Sequence, residues 1–258
     1  MKARKHVFSL KTGKVSFRPT RAVKTRRQGS DRVATAIPGL DDVTEGGFEK
    51  ESTNLIVGGA GAGKTIFGMQ FLVNGAAQFG EGGVYFTFEE SRKKLYSHMK
   101  RMDWDLEGLE KKKKLAIIEF SPEQVGRFLE EGGGMIESTI SRINAKRVVI
   151  DSLTAFSMMY QGDLERKKAC LALFKMLQRA SCTSLLIAEH DPDPEKHISS
   201  LLEFETDSVI LLYNRRKEDF REKSLEILKM RGTHHSSSTF PLKITNKGIV
   251  IFPEDAVF

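Results

Sequence analysis

Cysteines are rare in this sequence, and long apolar runs are missing from it. Its 258 residues include two cysteines, Cys170 and Cys182, and neither has a histidine or another cysteine beside it at metal-ligand spacing. We therefore interpret both as buried free thiols in a reducing compartment. No apolar run approaches the length of a membrane span, and the N-terminal residues lack the apolar stretch of a secretory signal. These absences predict a cytoplasmic protein that makes no contact with a membrane.

Acidic residues are almost absent from the first 32 positions. Residues 1–32 contain eleven lysines and arginines but one acid, Asp31, so this segment carries a charge of +10, whereas residues 33–258 carry −3. We therefore predict a basic N-terminal arm or linker at 1–32, followed by a single domain at 33–258. Four interpretations of the arm stay open: docking to a protein partner, binding to nucleic acid, a poorly ordered tail and an organellar targeting peptide.

A glycine-rich segment carries the most specific motif of the chain. Gly58–Thr65 reads Gly-Gly-Ala-Gly-Ala-Gly-Lys-Thr, which satisfies the pattern G-x-x-x-x-G-K-[ST]. It follows an apolar stretch, Thr53–Val57, that is typical of a strand, and it precedes Ile66–Phe79, which is typical of a helix. The segment is therefore predicted to bind phosphate, because its glycines let backbone N–H groups surround phosphate oxygens at the start of a helix.

This loop supplies the first predicted ligands of a nucleoside triphosphate. Lys64 is expected to reach the β- and γ-phosphates, and Thr65 is expected to hold Mg²⁺. The nucleotide-binding residues predicted in this segment are Gly58, Gly59, Ala60, Gly61, Ala62, Gly63, Lys64, Thr65 and Ile66.

Strands and helices alternate along the rest of the chain. This alternation predicts an α/β fold with a mainly parallel, twisted sheet flanked by helices, and four further strands predict a β-rich C-terminal end. In one helix Leu164, Leu171, Phe174 and Leu177 follow the helical period, so we expect them to form its buried stripe. The predicted strands are 53–57, 83–87, 115–118, 147–151, 184–188, 208–213, 225–230, 240–245 and 249–252, and the helices are 66–79, 92–101, 123–144 with a break at three glycines, and 164–180.

Three carboxylates follow predicted strands at positions suited to phosphate chemistry. Asp151 ends a Val-Val-Ile strand, where a carboxylate beside a phosphate-binding loop can support Mg²⁺ through water. Glu89 and Glu90 follow the strand at 83–87, and one of them can orient the water that attacks the γ-phosphate while the other tunes its position and pKa by like-charge repulsion. We predict Lys64, Glu89 and Glu90 as catalytic, with Thr65, Asp151 and Glu90 around the metal.

Together with the loop, several stretches resemble the KaiC family of the RecA superfamily of P-loop ATPases. Their order and spacing carry the likeness, which covers about Val33 to Phe252 and leaves out residues 1–32. The resemblance implies a RecA-type core, ATP with Mg²⁺ as cofactors, and slow ATP hydrolysis in a regulatory or signalling role. The matching stretches are Ala36–Asp41, Gly58–Thr65, Phe88–Ser91, Val148–Ser152 and Leu228–His235.

The resemblance also implies a partner, which is another copy of the same chain. Members of the family form rings, usually hexamers, with ATP held between neighbouring subunits. By that likeness Lys229 and Arg231 are expected to stabilise the γ-phosphate bound by the next subunit, with His235 nearby. Read from the residues alone, Lys229 and Arg231 alternate on one face of a strand and would be taken as an ordinary solvated face.

A departure from the family and an acidic loop bear on the alternative functions. Glu203 and Phe204 stand where the self-phosphorylating half of the family has an adjacent Ser-Thr pair, so the chain resembles the hydrolysing half more closely. An autokinase that uses Ser199 or Ser200, a nucleotide-gated scaffold without hydrolysis, and a recombination mediator remain alternatives. The acidic loop His190–Asp207 argues against DNA threading through a ring, because it would repel the phosphate backbone.

Overall fold

The computed structural model describes residues 31–120, 124, 134–190, 192 and 204–255. The strands are β1 Arg32–Val33, β2 Phe48–Glu49, β3 Thr53–Gly58, β4 Gly82–Thr87, β5 Leu115–Glu119, β6 Ala145–Asp151, β7 Thr183–Glu189, β8 Ser208–Lys217, β9 Phe220–Met230, β10 Thr239–Thr245 and β11 Gly248–Ile251. The helices are α1 Leu40–Val43, α2 Lys64–Phe79, α3 Arg92–Met99, α4 Leu106–Lys111, α5 Gly134–Ile143, α6 Leu153–Met158 and α7 Asp163–Arg179, and a 3₁₀ turn covers Pro253–Asp255.

Nine of these strands form one mixed sheet in the order β11-β10-β9-β8-β3-β7-β6-β4-β5. The six strands from β8 to β5 run parallel, and β9, β10 and β11 extend the sheet in antiparallel fashion. This arrangement confirms the predicted α/β fold with a mainly parallel sheet and a β-rich C-terminal end. A separate antiparallel pair, β1 with β2, stands at the start of the described chain.

The sheet is buried on both faces, which explains the continuous apolar strands in the sequence. Every residue of β3 and of β4 is buried. One core cluster packs between the sheet and α2 and includes Phe67, Tyr85 and Val149, while the other covers the opposite face and includes Leu173 of α7. Strands covered on both faces read as apolar runs rather than alternating patterns.

The register of the parallel strands brings their polar ends to one edge of the sheet. Gly58 at the end of β3 pairs with Glu189 at the end of β7. Thr87 at the end of β4 pairs with Asp151 at the end of β6. We call this border, formed by the carboxyl ends of β3, β4, β6 and β7, the C-terminal edge.

The opposite border, where these parallel strands begin, is the N-terminal edge. Asn54 of β3 pairs with Ser208, the first residue of β8, and Ser208 pairs with Met230, the last residue of β9. Because β9 runs antiparallel to β8, its final residues lie at the N-terminal edge. The two edges therefore carry different parts of the predicted site.

A buried arginine joins several elements at the start of β6. Arg147 is 1% exposed and pairs with Glu81 at 2.7 Å, between Nη2 and Oε2. Its guanidinium donates to the carbonyl oxygens of Phe71 in α2 and of Ala34, and it stands 4.5 Å from the ring centroid of Phe71. These contacts satisfy a charge that would otherwise destabilise the core.

Some local expectations differ from the structure. Leu164 is 64% exposed, so its placement in a buried stripe was wrong, whereas Phe174 and Leu177 are buried as predicted and lie on the buried side of α7 with Ala169, Cys170 and Leu173. The short helices α4 and α6 were not anticipated, and part of the helix predicted at 123–144 lies outside the described residues. Within the residues that the structure describes, no helix combines the length and the apolarity needed to cross a membrane.

Candidate functional site

The predicted phosphate-binding loop connects β3 to α2 at the C-terminal edge. Gly61 and Gly63 have φ angles of +71° and +105°, which side-chain-bearing residues rarely adopt. Gly63 also caps α2 without a side-chain hydrogen bond, so the first N–H groups of the helix remain available. A helix start of this kind binds anions well, because free N–H groups and the helix dipole both favour negative charge.

Two residues from the antiparallel part of the sheet hold this loop. Asn214 of β8 donates from Nδ2 to the carbonyl oxygen of Ala60 at 3.1 Å. Lys223 of β9 donates to the carbonyl oxygen of Gly61 and, at 2.9 Å, to the side-chain oxygen of Asn214. Burial, followed by the nearby charge of Arg221, lowers the pKa of Lys223. Sequence reasoning missed both residues, because their position depends on how distant strands pair.

Lys64 is folded back onto the loop. Its ammonium group donates to the carbonyl oxygen of Gly59 at 3.1 Å and lies 3.6 Å from Oε1 of Glu189. Lys64 is 7% exposed, whereas half of the Glu189 side chain is exposed. The apolar strand ending in Ala188-Glu189 could have suggested Glu189 as a site residue, since it ends beside β3.

Thr65 and Asp151 meet at the position expected for a metal. Oγ1 of Thr65 donates to Oδ2 of Asp151 at 2.9 Å, and the buried hydroxyl of Tyr85 donates to the same oxygen. Burial raises the pKa of Asp151, while the hydrogen bonds from Tyr85 and Thr65 act in the opposite direction.

Hydroxyl and carboxylate oxygens are ligands that suit Mg²⁺. The described residues contain no group of three or more histidine, cysteine, aspartate or glutamate side chains placed to hold an ion. Mg²⁺ is usually held by one or two protein oxygens together with substrate phosphates rather than by an all-protein cage. Thr65 and Asp151 therefore fit a metal that arrives with a nucleotide.

The two adjacent glutamates have different surroundings. Glu89 is exposed and accepts a hydrogen bond from the hydroxyl of Ser152, directly after Asp151. Glu90 instead faces His98 of α3, with 2.7 Å between its Oε1 and Nδ1 of the histidine. The structure thus brings Glu89 toward Asp151 and gives Glu90 a partner on α3.

A cavity of about 360 Å³ opens at this point of the C-terminal edge. Its size is within the range of small-molecule sites. It brings together most of the predicted loop residues with Glu89 and Asp151, and it adds Glu189 and Ile244. The lining residues are Ala60, Gly61, Gly63, Lys64, Thr65, Ile66, Glu89, Asp151, Glu189 and Ile244.

A larger cavity, of about 820 Å³, lies elsewhere, between α3, α4 and the end of β5. Its carboxylate Glu110 already pairs with Arg92 and accepts from the hydroxyl of Tyr96. This cavity contains no residue of the phosphate-binding loop, so its greater volume does not make it the nucleotide site.

Lys229 and Arg231 converge at the N-terminal edge. Lys229 donates to the carbonyl oxygen of Thr206 at 2.6 Å, and Arg231 donates to that of Phe204 at 2.7 Å. Arg231 also lies 3.7 Å from Asp207, between Nη1 and Oδ1. His235 is half-buried, and its Nδ1 is 3.1 Å from the carbonyl oxygen of Ser236. The structure does not bring these three residues to the cavity of their own chain.

Comparison with known proteins agrees with this geometry. A family model described as "ATPase: KaiC" matches residues 33–256. The chain belongs to the KaiC family. Its RecA-type fold and its ATP-binding loop are those of a KaiC-like ATPase, which confirms the resemblance inferred from the motifs.

Individual relatives cover most of the chain. It is 34% identical over 244 residues to the circadian clock oscillator protein KaiC of Synechococcus elongatus. The matched region covers 90% of this chain and 46% of that relative. It is also 34% identical over 238 residues to the circadian clock protein KaiC3 of a Synechocystis strain, and this match covers 89% of the chain and 47% of the relative. The chain therefore spans about half the length of the curated relatives it matches.

A solved structure of similar size also matches. The crystal structure of a KaiC-like protein from the hyperthermophilic archaeon Pyrococcus horikoshii OT3 superimposes with a TM-score of 0.77 at 36% identity, covering 86% of this chain and 99% of the other. This match confirms the fold over most of the chain.

Proposed function

We propose that this KaiC-family chain hydrolyses ATP slowly, with Mg²⁺, at sites shared between copies in a ring. The observation that carries the ATPase assignment is the hydrogen bond between Thr65 and Asp151 in the cavity that Lys64 and Glu89 also line. Phosphate binding, metal support and water activation need these three kinds of group within one small space.

The residues that line the cavity would have different roles in the reaction. The N–H groups of the loop would bind the phosphates, and Lys64 would leave the Gly59 carbonyl for the β- and γ-phosphate oxygens. Mg²⁺, held by Thr65 and supported by Asp151, would supply neutralisation of phosphate charge. Glu89 would orient the attacking water and accept its proton, since it lines the cavity. Glu90, close behind it, would tune that carboxylate.

The strand register supports a site shared between copies. Asn54, at the level of Met230, lies four positions before Gly58 along β3. At about 3.3 Å per residue this is about 13 Å along the strand, and the two strand spacings from β3 to β9 add about 10 Å across the sheet. Lys229 and Arg231 are therefore too distant to serve the loop of their own chain. They would instead reach the γ-phosphate bound by a neighbour, with His235 beside them.

The ATPase assignment is tested by replacing the loop lysine. Lys64→Ala should abolish phosphate release from ATP, because charge on the β- and γ-phosphates loses its counter-charge. Lys175→Ala, which alters an exposed lysine of α7, is the matched control and should turn over normally. Turnover by Lys64→Ala at the wild-type rate would refute the assignment. A wild-type chain that binds ATP and does not hydrolyse it would be a nucleotide-gated scaffold.

Assembly is tested by the native mass of the particle with and without ATP and Mg²⁺. A hexamer-sized particle that forms with nucleotide supports the ring, and a monomer at all concentrations that still turns over ATP contradicts the shared site. The same sample, incubated with labelled ATP and mapped for phosphosites, tests the autokinase alternative.

The remaining alternatives depend on residues outside the described part of the chain. Ser199, Ser200 and Glu203 lie there, as do residues 1–30 of the basic arm. Arg32, which the charge distribution of the sequence assigned to the arm, is the first residue of β1. Salt-dependent DNA binding that disappears on deletion of residues 1–30 would support a nucleic-acid role of the arm. Protein docking through the arm predicts no such DNA binding.

A further inference from the structure

The side chain of Tyr85 lies in the core, and its hydroxyl contacts the carboxylate of Asp151. It lies in the middle of β4, is completely buried, and pairs in register with Val149 of β6. Side chains two residues apart on a strand share a face, so Tyr85 lies on the same side of the sheet as Asp151. Its hydroxyl donates to Oδ2 of Asp151.

The helix above leaves room for this arrangement. Gly68 of α2 packs directly over the pair, and a Cβ there would come within 3.6 Å of the Tyr85 ring and 2.9 Å of a Val149 methyl group. The contact with Val149 lies below 3.0 Å and would force atoms to shift, whereas 3.6 Å to the tyrosine ring is an ordinary contact, so the glycine lets α2 pack closely over Val149, the strand neighbour of Tyr85. The ring of Tyr85 is thereby held between helix and sheet, with its hydroxyl pointing to the C-terminal edge.

Packing alone does not require the hydroxyl. A phenylalanine would fill the same ring volume. Burying a phenol oxygen costs desolvation free energy unless that oxygen makes a hydrogen bond inside the protein. Here that oxygen is bonded to the residue predicted to support the metal. Two donors, Tyr85 and Thr65, converge on Oδ2 and fix the rotation of the carboxylate.

We propose that Tyr85 is a positioning residue for the metal site: its hydroxyl holds the Asp151 carboxylate in the orientation that supports Mg²⁺. The inference rests on the proposed function, because it assumes that Asp151 supports a metal bound with nucleotide. Thr65 would have to share its hydroxyl oxygen with that metal, whereas Tyr85 is buried and keeps its bond to Oδ2 throughout. Groups that orient metal ligands in this way commonly change metal affinity by tenfold or more when removed.

The test measures metal binding directly and does not need turnover. Full-length protein with a non-hydrolysable ATP analogue is titrated with Mn²⁺ and followed by electron paramagnetic resonance. Tyr85→Phe should raise the half-saturating Mn²⁺ concentration about tenfold. Binding of the nucleotide in the presence of a chelator, and the midpoint of thermal unfolding, should stay close to wild type.

Tyr213→Phe is the matched control. Tyr213 is buried in β8, and its hydroxyl also donates to a carboxylate, Oε2 of Glu226, at 2.6 Å, but it does not line the cavity. This variant should leave the Mn²⁺ titration unchanged. A similar shift in both variants would show a general effect of losing a buried hydroxyl and would contradict the inference.

The outcomes separate this inference from the proposed function. A half-saturating Mn²⁺ concentration in Tyr85→Phe within twofold of wild type overturns the role of Tyr85. So does a Tyr85→Phe protein that loses metal-free nucleotide binding or cooperative unfolding, since the hydroxyl would then be structural. Wild-type protein that binds Mn²⁺ with nucleotide and never hydrolyses ATP contradicts the ATPase assignment alone, and wild-type protein without metal–nucleotide binding contradicts both.

Discussion

The two edges of the sheet differ in what they can do within one copy of the chain. The C-terminal edge brings together a glycine loop, a helix start without a side-chain cap, the ammonium group of Lys64, and side-chain oxygens of Thr65 and Asp151. The N-terminal edge carries Lys229 and Arg231, whose side chains are occupied by backbone carbonyl oxygens of Thr206 and Phe204. The first edge thus groups side chains that suit a phosphate and a metal, while the second holds its cations against backbone carbonyl oxygens, away from the loop of the same chain.

After Lys64→Ala, the largest effect should come from removing the cations of the N-terminal edge. The double variant Lys229→Ala/Arg231→Ala should lower turnover on the order of 10⁴-fold, because trans cations that stabilise phosphoryl transfer contribute this much in other ATPases and GTPases. Nucleotide affinity should fall far less. Steady-state phosphate release and binding of a fluorescent ATP analogue measure the two quantities.

Mixing two kinds of inactive subunit tests whether the two edges meet at one nucleotide. Subunits with the double alanine keep an intact C-terminal edge, and Lys64→Ala subunits keep an intact N-terminal edge. A mixture should recover part of the activity that each lacks alone, since some interfaces combine two intact edges. A mixture as inactive as its components would show that the two edges do not meet at one nucleotide.

The next effect separates the adjacent glutamates. Glu89→Gln should lower the turnover rate on the order of 10³-fold, because Glu89 lines the cavity and is the residue we propose to accept a proton from water. Glu90→Gln should have a smaller effect, since Glu90 is bonded to His98. Single-turnover kinetics of both variants check the difference. The reverse order would assign the proton acceptor to Glu90.

A third prediction concerns stability rather than chemistry. Arg147→Met should lower the free energy of unfolding by about 3 kcal/mol, because it leaves Glu81 without its buried partner. Nucleotide affinity should be unchanged, since Arg147 lies near the start of β6 and not at the C-terminal edge. Urea unfolding and ligand titration measure both, and Arg147→Met/Glu81→Gln should regain part of the loss. Equal instability of the single and double variants would contradict this explanation.

The smallest expected effect is the response of the two thiols to nucleotide. Burial raises the pKa of Cys170 and of Cys182 to about 11, so their thiolate fraction at pH 8 is about a hundredth of that of an ordinary thiol. Labelling by a thiol reagent should be slow in folded protein and fast in denaturant, and ATP should not change the folded rate. Rapid labelling that ATP suppresses would place a cysteine near the nucleotide.

The C-terminal edge could be predicted well because its signals are local. The loop from Gly58 to Thr65 has a fixed spacing, and β3 and α2 follow from the residues on either side of it. Asp151 could be predicted because an apolar strand that ends in a carboxylate has one place in a parallel sheet. The strands of the β-rich end were also predicted, since alternation and turns identify them within a few residues.

Contacts that depend on long-range register could not be predicted. Asn214 and Lys223 reach the loop because β8 lies beside β3, a pairing between residues about 150 positions apart that leaves no mark in the local sequence. Arg147 begins a strand that was predicted from its apolar residues, but its ion pair with Glu81 and its contact with helix α2 depend on packing that the local sequence does not show. Leu164 fits the helical period, yet the packing of α7 leaves it in solvent.

Strand β9 has contacts at both edges. Near its beginning Lys223 is bonded to the phosphate-binding loop of its own chain, and near its end Lys229 stands six residues further on, about 20 Å away. On the shared-site arrangement, a single hydrogen-bonded strand would link the triphosphate of one subunit to the triphosphate of the next. A small shift of the loop on hydrolysis would then move the cation that serves the adjoining subunit. Strand β9 would thereby couple the nucleotide state of one site to the position of the cation at the next site around a ring.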